Sequence, residues 1–205
     1  MNKKPKGMLL YGREMEQAYS DYVTAVGQVA YHWNALYEQL GLLFVEVTGT
    51  RRKVALGIWY AVQNDRLQGT LLLSALRGRE GEDPPWTRHA QADADIAWLV
   101  AEVQNSLSDR RNNAIHAPAE LHFVVNEARD KRLVPGPIEI GPSFYYGNPR
   151  ATRLRGKDLI KELEWYAAMA QAYCRFAEAM VGALSTAGST WPKRPKVPSL
   201  GQNLD

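Results

Sequence analysis

Seven consecutive residues, Arg110-Arg111-Asn112-Asn113-Ala114-Ile115-His116, gather two guanidinium groups, two amides and an imidazole. A neutral imidazole, with an unperturbed pKa of about 6.5, can take a proton from a hydroxyl near neutral pH. A guanidinium can hold two phosphate oxygens in a bidentate grip and offset the charge that builds in a transition state. An amide such as Asn112 can orient the anion or the imidazole. Together these groups are equipped for proton transfer and anion stabilisation at a phosphate ester, without calling on a metal. The competing reading is a helix C-terminus whose Arg110, Arg111 and His116 merely meet the negative end of the helix dipole.

Residue type and spacing close most other routes to chemistry. No Gly-x-Gly-x-x-Gly or P-loop spacing occurs, and no His-Glu-x-x-His helix. Asp93 and Asp95 stand two apart and point different ways on a helix, so with Glu102 and Asp109 they read as a solvated face. Cys174 is the only cysteine, which excludes an internal disulfide and a multi-cysteine metal site and fits a reducing cytoplasm. Beside Tyr173 in a helical seam, it reads as a packed thiol. His32 next to Trp33 reads as half-buried, and His89 has no partner at metal-ligand spacing. His122 with His116 makes only two ligands, short of a zinc site. The expectation is no metal and no cofactor.

The elements that must position the cluster are mainly helical. Tyr19, Val23, Val26, Ala30, Trp33, Tyr37, Leu40, Phe44 and Val47 advance by fours and threes, the seam of one long helix that Thr48-Gly49-Thr50 ends. A second helix from near Arg52 carries Val54, Ile58, Ala61 and Val62 and breaks at Gln63-Asn64. Asn64 caps a new helix with Leu67, Leu71, Leu72 and Ala75, terminated near Gly78. After a loop over 79–86, Thr87 is placed to cap a third long helix with the apolar line Ile96, Leu99, Val100, Val103, Leu107. Pro118 disfavours the helical region at Ala117, so that helix ends at Ile115 or His116. Leu121–Val125, Arg132–Val134 and Ile138–Ile140 are strand-like, which makes 119–155 a small β-containing insert. A last helix from near Lys157 has the seam Leu159, Leu163, Tyr166, Ala170, Tyr173, Ala177, Met180, Leu184.

The chain of 205 residues therefore reads as an all-α (mainly) antiparallel four- to five-helix bundle with a β-hairpin insert before the last helix. One domain is expected over 1–186, with a disordered tail over 187–205 that holds Lys193, Arg194 and Lys196. Apolar residues at 45% and charged residues at 23% are ordinary globular values. Apolar seams in excess of what one small bundle needs favour a homodimer. Lys3, Lys4 and Lys6 precede an apolar run of only Met8 to Tyr11, too short for a signal peptide. No stretch approaches the roughly 18 apolar residues of a membrane span, so a cytoplasmic protein with no membrane association is expected.

The Arg-Asn-His cluster resembles the signature of the HEPN superfamily, an arginine, four to six residues and a histidine, often with a polar residue directly after the arginine. Arg111 with four intervening residues fits it, and so does Arg110 with five; Asn112 supplies the polar residue after Arg111. The stretch from Tyr31 to Leu184 can be laid over the family's order of helices, with the cluster at the end of a long helix and an insert before the last one. Ala117-Pro118 after the histidine and the long β-like insert depart from it. The resemblance implies a metal-independent endoribonuclease in which Arg111, Asn112 and His116 are catalytic. Its substrate would be RNA, because the nucleophile is the ribose 2′-hydroxyl, and its product a 2′,3′-cyclic phosphate. It also implies a homodimer in which two copies of the motif face each other, and a toxin or defence effector restrained by an antitoxin or other regulatory protein. The alternative is a non-catalytic HEPN-like interaction module that binds a protein or RNA partner.

On an ideal helix Arg111 and His116 lie about 140° apart. They converge only if the helix ends before His116 or if two subunits share a site. Charge distribution bears on the substrate. The net charge is only +3, yet Arg129, Lys131, Arg132, Arg150, Arg153, Arg155 and Lys157 face only Asp130 and Glu139 within 129–157. The small total conceals a basic insert on a slightly acidic remainder. With Arg110, the arginines Arg129, Arg132, Arg150, Arg153 and Arg155 are the candidate RNA-binding residues, and Phe144, Tyr145 and Tyr146 offer rings for bases to stack on.

Overall fold

The apolar spacing from Trp33 onward becomes the buried face of a helix, α1, which spans Lys6–Thr48. In the computed structural model, which describes residues 6–79, 86–125, 133–141 and 149–196, α1 is followed by α2 (Arg52–Ala61) and α3 (Asp65–Gly78). A 3-10 turn at Trp86–Arg88 leads to α4 (Ala92–Ala101), which continues through a π-helical stretch, Glu102–Ser108, into α5 (Asp109–His116). Strands β1 (Ala119–Val125) and β2 (Leu133–Ile140) form an antiparallel pair. A second 3-10 turn, Pro149–Leu154, precedes α6 (Leu159–Ser185). The protein is thus mainly helical, with a two-stranded hairpin before its last helix.

The chain divides into two compact units. Met1–Ala30 with Arg110–Ala167 make one, and Tyr31–Asp109 with Ala168–Asp205 make the other. In the first, Ala25, Val29, Ala114, Ile138, Ile140, Leu154, Leu163 and Tyr166 are buried. In the second, the buried set includes Trp33, Leu36, Phe44, Trp59, Leu72, Ile96, Leu99, Leu107, Tyr173 and Met180.

Local signals set most boundaries. Gly49 takes a left-handed φ of 60° and donates its N–H to the Val45 carbonyl at 3.0 Å, which closes α1. Asn64 Oδ1 accepts the Leu67 N–H at 3.1 Å and starts α3, as its position in the sequence predicts. Asp158 does the same for α6 through the Ile160 N–H at 3.0 Å. β2 runs straight through Pro135-Gly136-Pro137, which the sequence reads as an interruption. A two-stranded ribbon has no interior strand, so the missing N–H donors face no third partner, and the register shifts between Leu121 and Phe123 to absorb an extra residue.

Three expectations need correction. The buried line of α1 is Ala25, Val29, Trp33, Leu36, Leu40 and onward, while Tyr19 and Val23 are 42% and 64% exposed. The buried line runs unbroken from Ala25 and Val29 into Trp33 and Leu36, and Tyr19 and Val23 lie to one side of it. Thr87 does not cap the third helix, because the chain makes a 3-10 turn there and α4 starts at Ala92. Trp86 is buried with the Arg79 guanidinium 3.7 Å over its ring, and His89 is buried with a ring nitrogen 3.2 Å from the Ala183 carbonyl, so side-chain burial overrides the cap. Part of the stretch expected to be a disordered tail is placed: Trp191 Nε1 donates to Asp95 Oδ2 at 2.7 Å, and Arg194 pairs with Asp95 Oδ1 with its guanidinium 4.9 Å over Trp98.

Gly41 explains how α1 and α2 come close. A Cβ at that position would lie 2.9 Å from both Cδ1 and Nε1 of the fully buried Trp59, whereas Gly57 has nothing within 4 Å. Chemical denaturation should show Gly41→Ala less stable by about 1–3 kcal/mol. Gly57→Ala should be more stable by about 0.5–1 kcal/mol, since it only removes helix-opposing freedom. Equal effects of the two substitutions would refute the close approach.

Candidate functional site

The Arg-Asn-His cluster is α5 itself, and helical phase decides where each of its residues goes. Ala114 is fully buried and marks the inner face. At 100° per residue, Arg110 lies about 40° and Arg111 about 60° from Ala114, while Asn112 and His116 each lie about 160° away. Burial follows this wheel: Arg110 and Arg111 are half-buried, and Asn112 and His116 are exposed. The Arg111 Nε atom is enclosed, and the Arg110 guanidinium stands 5.5 Å over the Trp165 ring.

The helix includes His116 as its last residue and does not fray before it. Ala117 is then buried, and the Pro118 carbonyl accepts the Gly141 N–H at 2.8 Å, so the hairpin starts directly beyond the imidazole. Asn112 and His116, one helical turn apart, therefore share an exposed face. Arg111 is on the inner flank of the same helix, about 140° from His116. Of the two routes to convergence that the spacing allows, ending the helix before His116 is not the one taken.

A second cluster, of which the sequence singles out only the seam residue Tyr166 and the basic Lys157, lies in the same unit. Glu162 is only 3% exposed. Its carboxylate accepts the Tyr166 hydroxyl at 2.8 Å and pairs with Lys157 Nζ at 3.0 Å. The Tyr166 phenol is pushed well above its usual range, first by burial and then by the charge and hydrogen bond of Glu162, while Arg153 and Arg110 pull it back. Two arginines that the sequence separates by forty-three positions thus bear on one buried phenol. The available signal was Glu162 and Tyr166 at i and i+4 with Lys157 upstream, a pattern indistinguishable from a surface pair without the fold.

Of the candidate RNA-binding residues, Arg153 and Arg155 are exposed, at the end of the 3-10 turn and just after it. Arg150 belongs to that turn, and Arg129 and Arg132, like Phe144, Tyr145 and Tyr146, lie outside the described residues. The acidic face needs correction. Asp95 is buried beneath Trp191 and Arg194, and only Asp93 of that pair is exposed, joined to Arg79 at 3.1 Å. Glu102 accepts the Tyr173 hydroxyl at 3.3 Å, and Cys174 is half-buried with its thiol pushed up by burial. Among the described residues no group of His, Cys, Asp and Glu is placed to hold a metal ion, and no helix is long and apolar enough to cross a membrane. Comparison with family models, with curated proteins and with solved structures finds no match.

Burial gives the tyrosines a pH signature. Tyr166 and Tyr173 both have phenols raised above the ordinary 10.0, so the folded state holds their protons after the unfolded chain has released them. The stability this contributes is complete below about pH 10 and falls as pH rises beyond it. Tyr166→Phe should flatten that alkaline decline. At neutral pH it should cost about 1.5–3 kcal/mol, because the Glu162 carboxylate loses a donor. Melting curves at about pH 8 and about pH 11 check both, and an unchanged alkaline slope would contradict the burial of the phenol.

Proposed function

We propose that the protein is a HEPN-type, metal-independent endoribonuclease that acts as a homodimer of antiparallel helical bundles. The observation that carries this reading is the placement of His116, exposed at the end of an unbroken helix and on one face with Asn112. A buried imidazole, or one at a helix end closed off by packing, would have served structure alone.

In this reading the neutral His116 imidazole takes the proton from a ribose 2′-hydroxyl as that oxygen attacks the adjacent phosphorus. A bond forms from O2′ to phosphorus, the bond to O5′ breaks, and the proton passes to the departing oxygen. The products are a 2′,3′-cyclic phosphate and a 5′-hydroxyl. Arg111 holds the non-bridging oxygens as charge accumulates on them, and Asn112 orients phosphate or imidazole. The half-burial of Arg111 suits this role, because a partly desolvated guanidinium acts more strongly than one in open water. Because Arg111 and His116 point apart within one chain, the active arrangement is built from two copies, each giving what the other lacks. Arg153 and Arg155, with Arg129, Arg132 and Arg150, are proposed to hold the RNA backbone. A toxin or defence effector held in check by an antitoxin-like protein is the role that this activity fits.

The same divergence favours the second reading, a non-catalytic module that uses its helices to bind a protein or RNA. The two differ in the need for His116. Purified protein in EDTA should cut RNA, leave 2′,3′-cyclic phosphate ends and spare a DNA of the same sequence. His116→Ala and Arg111→Ala should each be slower by about 100-fold or more, as expected for loss of a general base or an anion clamp. Equal cleavage by all three proteins, or none by any, would remove the catalytic assignment. Binding that survives His116→Ala without any cleavage would establish the module.

A further inference from the structure

We propose that a pocket built on α1, α2 and α3 binds a small organic cation that carries an alkylammonium or quaternary ammonium group. The cavity measures about 550 Å³, a size suited to a small molecule. It lies on residues 31–68, apart in sequence from the Arg-Asn-His cluster, and does not depend on the ribonuclease reading.

The chemistry of the lining selects the ligand. Five aromatic residues line it, Tyr31, Trp33, Tyr37, Trp59 and Tyr60, of which Trp59 is fully enclosed and offers no ring face to a ligand. Trp33, Tyr37 and Trp59 are buried, and Trp33 stands 5.1 Å from Tyr37 at a tilt of 34°. Tyr31 and Tyr60 are 71% and 58% exposed, so two further rings stand in water beside the same cavity. Aromatic faces carry the negative part of the ring quadrupole and attract a cation whose charge is spread over carbon-bound hydrogens.

Charge points the same way. Glu38 and Asp65 both line the cavity, and among the described residues no lysine or arginine lines it. Asp65 is held in place: its carboxylate accepts the Trp33 indole N–H at 3.0 Å, and its backbone carbonyl accepts the Tyr37 hydroxyl at 3.3 Å. Gln68 is likewise committed, donating to the Trp59 carbonyl at 3.0 Å. A lining that carries two carboxylates and, among the described residues, no lysine or arginine disfavours phosphates and carboxylates. A neutral apolar ligand would bring no charge to complement the exposed Glu38 carboxylate.

The test titrates the full chain with choline, with its neutral carbon isostere 3,3-dimethylbutan-1-ol, and with butylammonium, followed by tryptophan fluorescence. Choline or butylammonium should give a saturable change, and the isostere should bind at least ten-fold more weakly, as loss of a cation–π and charge contribution implies. Glu38→Gln and Tyr60→Ala, both at exposed positions, should each weaken binding by at least five-fold while melting temperature stays at the wild-type value. A peptide bearing trimethyllysine, titrated in parallel, identifies the source. Tighter binding than choline assigns the cation to a protein side chain, and equal or weaker binding assigns it to a free small molecule. Isostere and choline binding equally, unaffected variants, or no saturable change with any cation would overturn the proposal.

Discussion

A single buried carboxylate organises the unit that holds the Arg-Asn-His helix. Glu162 cannot be taken from water without several kcal/mol of compensation. Lys157 at 3.0 Å and the Tyr166 hydroxyl at 2.8 Å supply it directly. Arg153 and Arg110 place a positive field at the neighbouring Tyr166 phenol. The 3-10 turn, through Arg153, and α5, through Arg110, thus both bear on the phenol that this carboxylate holds. Arg110 is fixed further by the Trp165 ring, one residue from Tyr166. The burial of Ala114 sets the rotation of α5 about its own axis, and with it the faces on which Arg111, Asn112 and His116 emerge.

That rotation separates the two groups on which catalysis would rest. A spacing of five residues on a continuous helix turns them about 140° apart, and no rotamer change reverses a difference set by the backbone. Two copies related by a two-fold axis offer the economical solution, since a self-complementary interface brings the arginine of one copy to the histidine of the other and repeats the arrangement symmetrically. Apolar surface left uncovered on α1 at Tyr19 and Val23 is compatible with such pairing. The π-helical stretch Glu102–Ser108 leads directly into α5.

Legibility in the sequence follows the range of the interactions. Asn64, Gly49 and Pro118 act on residues within four positions, and the ends of α1, α3 and α5 that they imply are the ends observed. The seam of α6 was equally readable, because one buried face runs its whole length. Asp95 was misread as solvated because Trp191 and Arg194, which bury it, are 96 and 99 residues away. Glu162 was missed for a related reason: what distinguishes it from a surface glutamate is desolvation by the fold. The π-helical stretch has no residue-type signature at all, and Thr87 lost its capping role to the burial of Trp86. For the candidate site, residue types and helix position were legible, whereas the splitting of Arg111 and His116 between two faces required knowing that the helix reaches His116.

In the proposed enzyme the arginine and the histidine of one site come from two copies of the chain. Mixing Arg111→Ala protein with His116→Ala protein tests it directly. Each alone would be inactive, yet a mixed dimer retains one arginine and one histidine that face each other. Subunit exchange should then restore RNA cleavage to roughly a quarter of the wild-type level, because half the dimers are mixed and each has one intact site. A mixture that exchanges subunits and stays as inactive as its components would contradict the shared site.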